Sequence, residues 1–146
     1  MKKLVFLGIG GLYSEIRSIS LSNNSFEILG AVDDCPVIQD DYLGNFEWVY
    51  HNSAEFDFLF PAFGATNRRN LRKRTATLKT IDAINNIFFD KAIVASTAIV
   101  EKDVTVGRST FCAHNVVMSV GSVIGDFVIL NTASIIGHGS LVGDFS

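Results

Sequence analysis

A chain of 146 residues suits one ordinary domain or two small ones, and 48% hydrophobic residues with 12 Phe are ample for a buried core. Its 12 Lys and Arg against 15 Asp and Glu leave a net charge of −3, which argues against a nucleic-acid or anionic-membrane surface. Cys35 and Cys112 stand far apart with no metal-ligand spacing, so the reading is reduced thiols in a cytoplasm and no metal site.

Met1-Lys2-Lys3 and the apolar run behind them are similar to the start of a signal peptide. The run is short, however, and leads into Tyr13-Ser14-Glu15 without a small-residue cleavage pattern, so it reads as a buried first strand over residues 4–7. No other stretch approaches transmembrane length, and membrane insertion is not expected. Gly8-Ile9-Gly10-Gly11 turn out of the strand into a helix predicted over residues 13–22, with Ile16, Ile19 and Ser20 inward. A second strand over 26–32 ends at Asp33-Asp34. Strand, glycine turn, helix, strand, acid is half of a mononucleotide-binding βαβ unit. Gly8, Gly10 and Gly11 let backbone N–H groups at the helix start approach a diphosphate, and Asp33 or Asp34 can accept hydrogen bonds from a ribose or a base. The third glycine of the dinucleotide fingerprint would fall at Tyr13, and a glycine turn also serves tight packing alone, so both readings stand.

Residues 36–56 carry no usable pattern. A third strand is expected over 58–63, with Pro61 at an edge or a bulge. Gly64-Ala65-Thr66 breaks it, and a helix follows from about Asn67 with Leu71, Thr75 and Leu78 at i, i+4, i+7. The cluster Arg68, Arg69, Arg72, Lys73 and Arg74 falls largely off that stripe. It is either a solvated face or, through Arg69 and the neighbouring Gly64, part of an anionic-ligand site. A short strand over 87–89 and Asp90-Lys91 lead on without a flexible linker, so domains over 1–90 and 91–146 are expected to pack as one rigid unit.

From Ile93 the chain repeats every six residues. The second position of each hexad is Val94, Val100, Val106, Cys112, Met118, Ile124, Leu130, Ile136 and Val142, and the position two before it is mostly small. A helix of 3.6 residues per turn cannot hold that period on one face. Val106-Gly107, Ile124-Gly125 and Val142-Gly143 recur at 18 residues, as glycine would at an equivalent tight corner of each coil. Three faces per coil follow, and with them a hexapeptide parallel β-helix whose inward columns are Val94/Cys112/Leu130, Val100/Met118/Ile136 and Val106/Ile124/Val142.

The order of GIGG, a strand ending AVDD, the stretch AFGATNRRNL and hexads containing SVIGDFVILNTASIIGHGSLVGDF resembles the hexapeptide-repeat sugar acyltransferases, the sialic acid and bacillosamine-type acetyltransferases among them. The most specific part is Asn131-Thr132, then His138, then Val142-Gly143-Asp144-Phe145. The resemblance implies an α/β N-terminal Rossmann-like domain followed by a left-handed parallel β-helix. It also implies a homotrimer, a nucleotide sugar on the N-terminal domain, acetyl-CoA as co-substrate between neighbouring helices, and a role in polysaccharide biosynthesis. His138 would be the general base, with Asn131 positioning it or the acceptor. The chain departs from the pattern at Leu12-Tyr13, where the family has HG, and at Gly139, where an acid commonly follows the catalytic His. The family pattern also runs on past GDFS into further coils that form most of the acetyl-CoA site. A truncated nucleotide-sugar-binding trimer of impaired activity is therefore the alternative expectation.

Acetyl transfer from a thioester needs a nucleophilic amine or hydroxyl, a base near neutrality and donors for the oxyanion. Histidine, with an ordinary pKa near ~6.5, is the matching side chain. His51 lies in the patternless region, whereas His114 and His138 share a phase in their hexads, off the inward row. Two other readings compete: a nicotinamide-dependent oxidoreductase, which fits Gly8, Gly10 and Asp33 but leaves the repeat unexplained, and a purely structural β-helix assembly.

Overall fold

In the computed structural model, which describes residues 1–23, 26–85 and 87–146, the chain forms two compact units, Met1–Phe89 and Asp90–Ser146. The first is built on an all-parallel sheet. Leu4, Val5, Phe6 and Leu7 are completely buried, the continuous apolar run of a strand covered on both faces, and they form most of β1 (Lys3–Leu7). Beside it run β2 (Glu27–Val32), β3 (Tyr42–Gly44) and β4 (Phe58–Pro61), in the order β3-β2-β1-β4. Helix α1 (Gly11–Asn23) links β1 to β2 and buries Tyr13, Ile16, Ile19 and Ser20. The short α2 (Glu47–His51) precedes β4, and α3 (Arg68–Asn85) follows it.

Pro61 closes β4 at one edge of this sheet, where its missing N–H costs no ladder bond. The strand expected over 87–89 is reduced to a single bridge between Phe88 and Leu59. Phe89 instead anchors an aromatic cluster, with its ring centroid 5.4 Å from Phe26, 5.5 Å from Phe58 and 6.2 Å from Phe60.

The inner face of α3 differs from the expected stripe. Leu71 is exposed, and the buried positions are Arg74, Leu78 and Ile81 at i, i+4, i+7. An arginine can take a core position because its long apolar stem packs while its head finds a carbonyl. Here the Arg74 Nε donates to the Phe63 carbonyl at 3.1 Å, and burial pulls the guanidinium pKa down to about 10. That bond ties α3 to the loop following β4.

The second unit is a parallel β-helix of two-residue strands: β5 (Ile93–Val94), β6 (Ile99–Val100), β7 (Thr105–Val106), β8 (Phe111–Cys112), β9 (Val117–Met118), β10 (Val123–Ile124), β11 (Ile129–Leu130), β12 (Ile135–Ile136) and β13 (Leu141–Val142). They stack as three parallel sheets, β11-β8-β5, β12-β9-β6 and β13-β10-β7, an arrangement that fits the left-handed form. The register pairs Val94 with Cys112 and Leu130, Val100 with Met118 and Ile136, and Val106 with Ile124 and Val142. These are the three columns expected from the hexad period. The middle row, Cys112, Met118 and Ile124, is fully enclosed, and burial pushes the Cys112 thiol up to about 12, so it is inert. Thr110 is a fully buried polar residue of the small row. Its hydroxyl donates to the Gly125 carbonyl at 2.8 Å and accepts from the Val128 N–H at 3.0 Å, so its own polar group is satisfied.

Every corner after β6 turns through a residue with left-handed backbone, and those residues are Asp103, Ser109, Asn115, Gly121, Phe127, Ala133, Gly139 and Phe145. Gly107, Gly125 and Gly143 stand at corners, as expected, but are not among these left-handed residues. A Cβ on Gly107 would collide with the Gly125 carbonyl and the Asp126 carboxylate of the next coil, and one on Gly125 with Asp144. Glycine is needed there because the next coil's aspartate folds down onto it. Asp126 accepts from the Arg108 N–H at 3.0 Å, and Asp144 from the Asp126 N–H at 2.9 Å. Above the same corner the Phe127 and Phe145 rings stack at 5.1 Å, with Arg108 over the Phe127 ring.

Among the described residues no helix is long and apolar enough to cross a membrane, and no group of His, Cys, Asp and Glu is placed to hold a metal ion.

Candidate active site

In the first unit, the direction in which the chain leaves β1 decides where a ligand can sit. From β1 it moves to β2 and then β3 on one side, and returns to β4 on the other. Loops leaving the carboxyl ends of β1 and β4 therefore diverge, and in open parallel sheets the crevice they leave is the usual ligand site. The residues singled out from the sequence collect at these carboxyl ends. Gly8, Gly10 and Gly11 follow β1, Asp33 and Asp34 follow β2, and Gly64 and Arg69 lie in the loop after β4 and the first turn of α3.

Gly8 is fixed by packing: its φ is +99°, and a Cβ would stand 3.0 Å from the Phe63 Cβ and 3.2 Å from the Ala62 backbone. Gly10 and Gly11 are different, being exposed with no atom within 4 Å of a would-be Cβ. They stand at the start of α1, whose first N–H groups have no partner within the helix. Gly64, Asp34 and Arg69 are exposed as well. Asn67 caps α3, its Oδ1 accepting from the Asn70 N–H at 2.9 Å.

Asp33 has a structural task that the sequence did not suggest. Its carboxylate accepts from the Ile9 N–H at 3.1 Å and from the Cys35 N–H at 2.9 Å, so it clamps the tip of β2 to the glycine turn. Each oxygen keeps a lone pair for a ligand hydroxyl. Asp34 accepts from the Phe46 N–H at 3.2 Å.

Tyr13, at the position of the fingerprint's third glycine, points away from the turn. It is buried against Phe6 at a ring distance of 5.3 Å, and its hydroxyl donates to Asp41 at 2.9 Å. Burial, and then the Asp41 carboxylate, raise the phenol pKa to about 12. Arg17 pairs with the same carboxylate at 3.0 Å, so α1 is locked to the segment entering β3. No sequence signal announced this lock, because Asp41 lies in the patternless stretch.

In the second unit the histidines sit on two different corners. His114 belongs to the corner between β8 and β9 and His138 to the corner between β12 and β13; both are exposed. The His114 Nδ1 lies 2.8 Å from the Thr97 hydroxyl one coil below. Asn131 opens the turn between β11 and β12, stacked one coil above Ala113, so it shares a corner with His114 and is separated from His138 by the strand β12. The corner of His138 is flanked by uncovered apolar side chains: Ile135 is 74% exposed, Leu141 76% and Val120 46%.

Solved structures share this architecture. The acetyltransferase domain of PglB from Neisseria gonorrhoeae in complex with acetyl coenzyme A superposes with a TM-score of 0.82 at 24% identity, over 99% of this chain and 68% of that one. PerB from Caulobacter crescentus in complex with CoA and GDP-perosamine gives 0.83 at 22% identity, over 100% and 68%. A histidine-to-asparagine variant of perosamine N-acetyltransferase from the same organism gives 0.80 at 21%, over 98% and 66%. At these identities the likeness is one of fold. No protein-family model matches the chain, and no curated protein sequence matches it.

Proposed function

We propose that the protein is an acetyl-CoA-dependent acetyltransferase acting on an amino or hydroxyl group of a nucleotide-linked sugar, as a cytoplasmic homotrimer serving polysaccharide biosynthesis. The observation that carries the reading is the fold likeness over 98–100% of the chain to acetyltransferases, two of whose structures hold CoA with GDP-perosamine. In this reading residues 1–90 are a Rossmann-like nucleotide-sugar domain. The diphosphate rests on the amides of Gly10 and Gly11 at the start of α1, Asp33 and Asp34 take ribose or base hydroxyls, and Gly64 and Arg69 close the other side of the crevice.

Residues 91–146 supply the β-helix and the base. His138 removes a proton from the acceptor as its nitrogen or oxygen bonds to the acetyl carbonyl carbon. The carbon–sulfur bond then breaks, and the thiolate of CoA takes up a proton, which returns His138 to its neutral state. Asn131 is assigned to holding the acceptor. The trimer is supported by the apolar side chains Ile135, Leu141 and Val120 around the corner of His138, which a second copy would cover.

Binding and transfer are tested separately. Calorimetry with a panel of nucleotide sugars should give heat with the wild type and none with Gly10→Val. Because a side chain at Gly10 meets no protein atom within 4 Å, that variant keeps its fold and reports on the space the phosphates need. Heat with NAD and with no nucleotide sugar would overturn the reading in favour of an oxidoreductase. Thiol release from acetyl-CoA in the presence of an amino-sugar nucleotide, measured on a species that light scattering shows to be trimeric, tests the transfer step.

A further inference from the structure

The net charge of −3 conceals a segregated distribution. Six of the 12 Lys and Arg lie between positions 68 and 79, with no Asp or Glu among them, so the rest of the chain carries six cations against 15 acids. The structure sorts the six. Arg74 is turned into the core, Arg69 is exposed in the first turn of α3 and already assigned to the crevice, and Arg68, Arg72, Lys73 and Lys79 stand exposed on α3. At about 100° per residue, these four cover roughly 140° of the helix circumference over about 16 Å of its length. Arg68, Arg72 and Lys79 line, together with Leu71, Thr75 and Ala76 beside them, a shallow open groove of about 490 Å³.

We propose that this face of α3 is a docking surface for an anionic phospholipid membrane, to which the protein adsorbs without spanning it. A basic helix face with a shallow apolar strip, on an otherwise acidic chain, has the charge pattern of a membrane-surface helix. Asp82 near the end of α3 is the one acid of the helix, and the other acids lie elsewhere in the chain and favour one orientation. A helical peptide partner would need pockets for large anchors at successive turns. The groove offers one exposed Leu and two small residues instead. A two-dimensional array of phosphates needs only cations spread over a broad arc, with long stems that lie along the surface while their heads reach it. The inference stands apart from the acetyl-transfer reading and uses none of the residues assigned to it.

The test is sedimentation of the full chain with vesicles at about 0.1 M ionic strength, where charges interact over about 10 Å. Binding is expected to vesicles of phosphatidylcholine mixed with phosphatidylserine, with none to phosphatidylcholine alone, and it should disappear at high salt. Joint replacement Arg68→Gln, Arg72→Gln and Lys79→Gln should weaken the partition about 100-fold, at about fivefold per cation. Glutamine keeps the helix propensity, and circular dichroism verifies the fold. Equal partition of the wild type and the triple variant would overturn the proposal. So would wild type that ignores anionic vesicles, including wild type that is retained instead by a nucleic acid or an acidic protein.

Discussion

His138→Ala is expected to lower the rate of acetyl transfer by about 10²–10⁴-fold, the usual worth of a positioned general base. The variant should remain as stable as the wild type, because His138 is an exposed corner residue and alanine leaves the inward columns untouched. Nucleotide-sugar binding should also persist, since the residues assigned to it all lie in the first unit. The loss would then sit in kcat, as expected for a group that acts on the reacting atoms. His114→Ala is the matched control. It removes an imidazole of the same hexad phase from a different corner, one whose ring is already held by Thr97, and transfer should continue. Thiol release measured on both variants decides between the two histidines. An unaffected His138→Ala protein, or a His114→Ala protein as inactive as expected for His138→Ala, would sink the assignment of the base.

Which features were legible in advance follows from how much repetition the chain offers. The inward columns could be read residue by residue because each hexad restates the same requirement, and only one register puts Cys112, Met118 and Ile124 inside together. The glycine turn and the two acids were legible because a strand, a break and a helix follow one another at short range. Short elements leave no such trace. A strand of three residues, Tyr42–Gly44, and a helix of five, Glu47–His51, complete too few periods to stand out, and with them went Asp41 and its hold on Tyr13 and Arg17. Tertiary context also overrides charge. Arg74 reads as solvated, yet the Phe63 carbonyl gives its head a partner and lets its stem fill the α3 inner face. The corner glycines were legible from the 18-residue period, but not the cause behind them, because close approach of the next coil and a left-handed backbone both call for glycine at a tight corner, and a sequence does not distinguish them.

Ile124→Asp is expected to unfold the β-helix unit. Ile124 is 2% exposed in the middle coil, in register with Val106 below and Val142 above, so an aspartate there has no solvent and no cation to meet. Lost apolar burial and an unpaired carboxylate together cost several kcal/mol, a large part of the ~5–15 kcal/mol that holds a domain together. Gly107→Ala probes the same stack from the backbone side. Its methyl group would press on the Gly125 carbonyl and the Asp126 carboxylate. Neither can retreat cheaply: the Gly107 N–H bonds the Ile124 carbonyl at 2.9 Å, and Asp126 holds the Arg108 N–H at 3.0 Å. Overpacking of this kind costs about 1–3 kcal/mol. At Gly137, by contrast, an added Cβ finds only the Ser140 hydroxyl at 3.5 Å, an ordinary contact, so Gly137→Ala should stay within about 0.5 kcal/mol of wild type. Urea denaturation of the three variants, followed by circular dichroism, gives the order directly. A soluble, fully folded Ile124→Asp protein would show that the inward register is wrong, and equal costs at Gly107 and Gly137 would remove close coil contact as the reason for the repeating glycines.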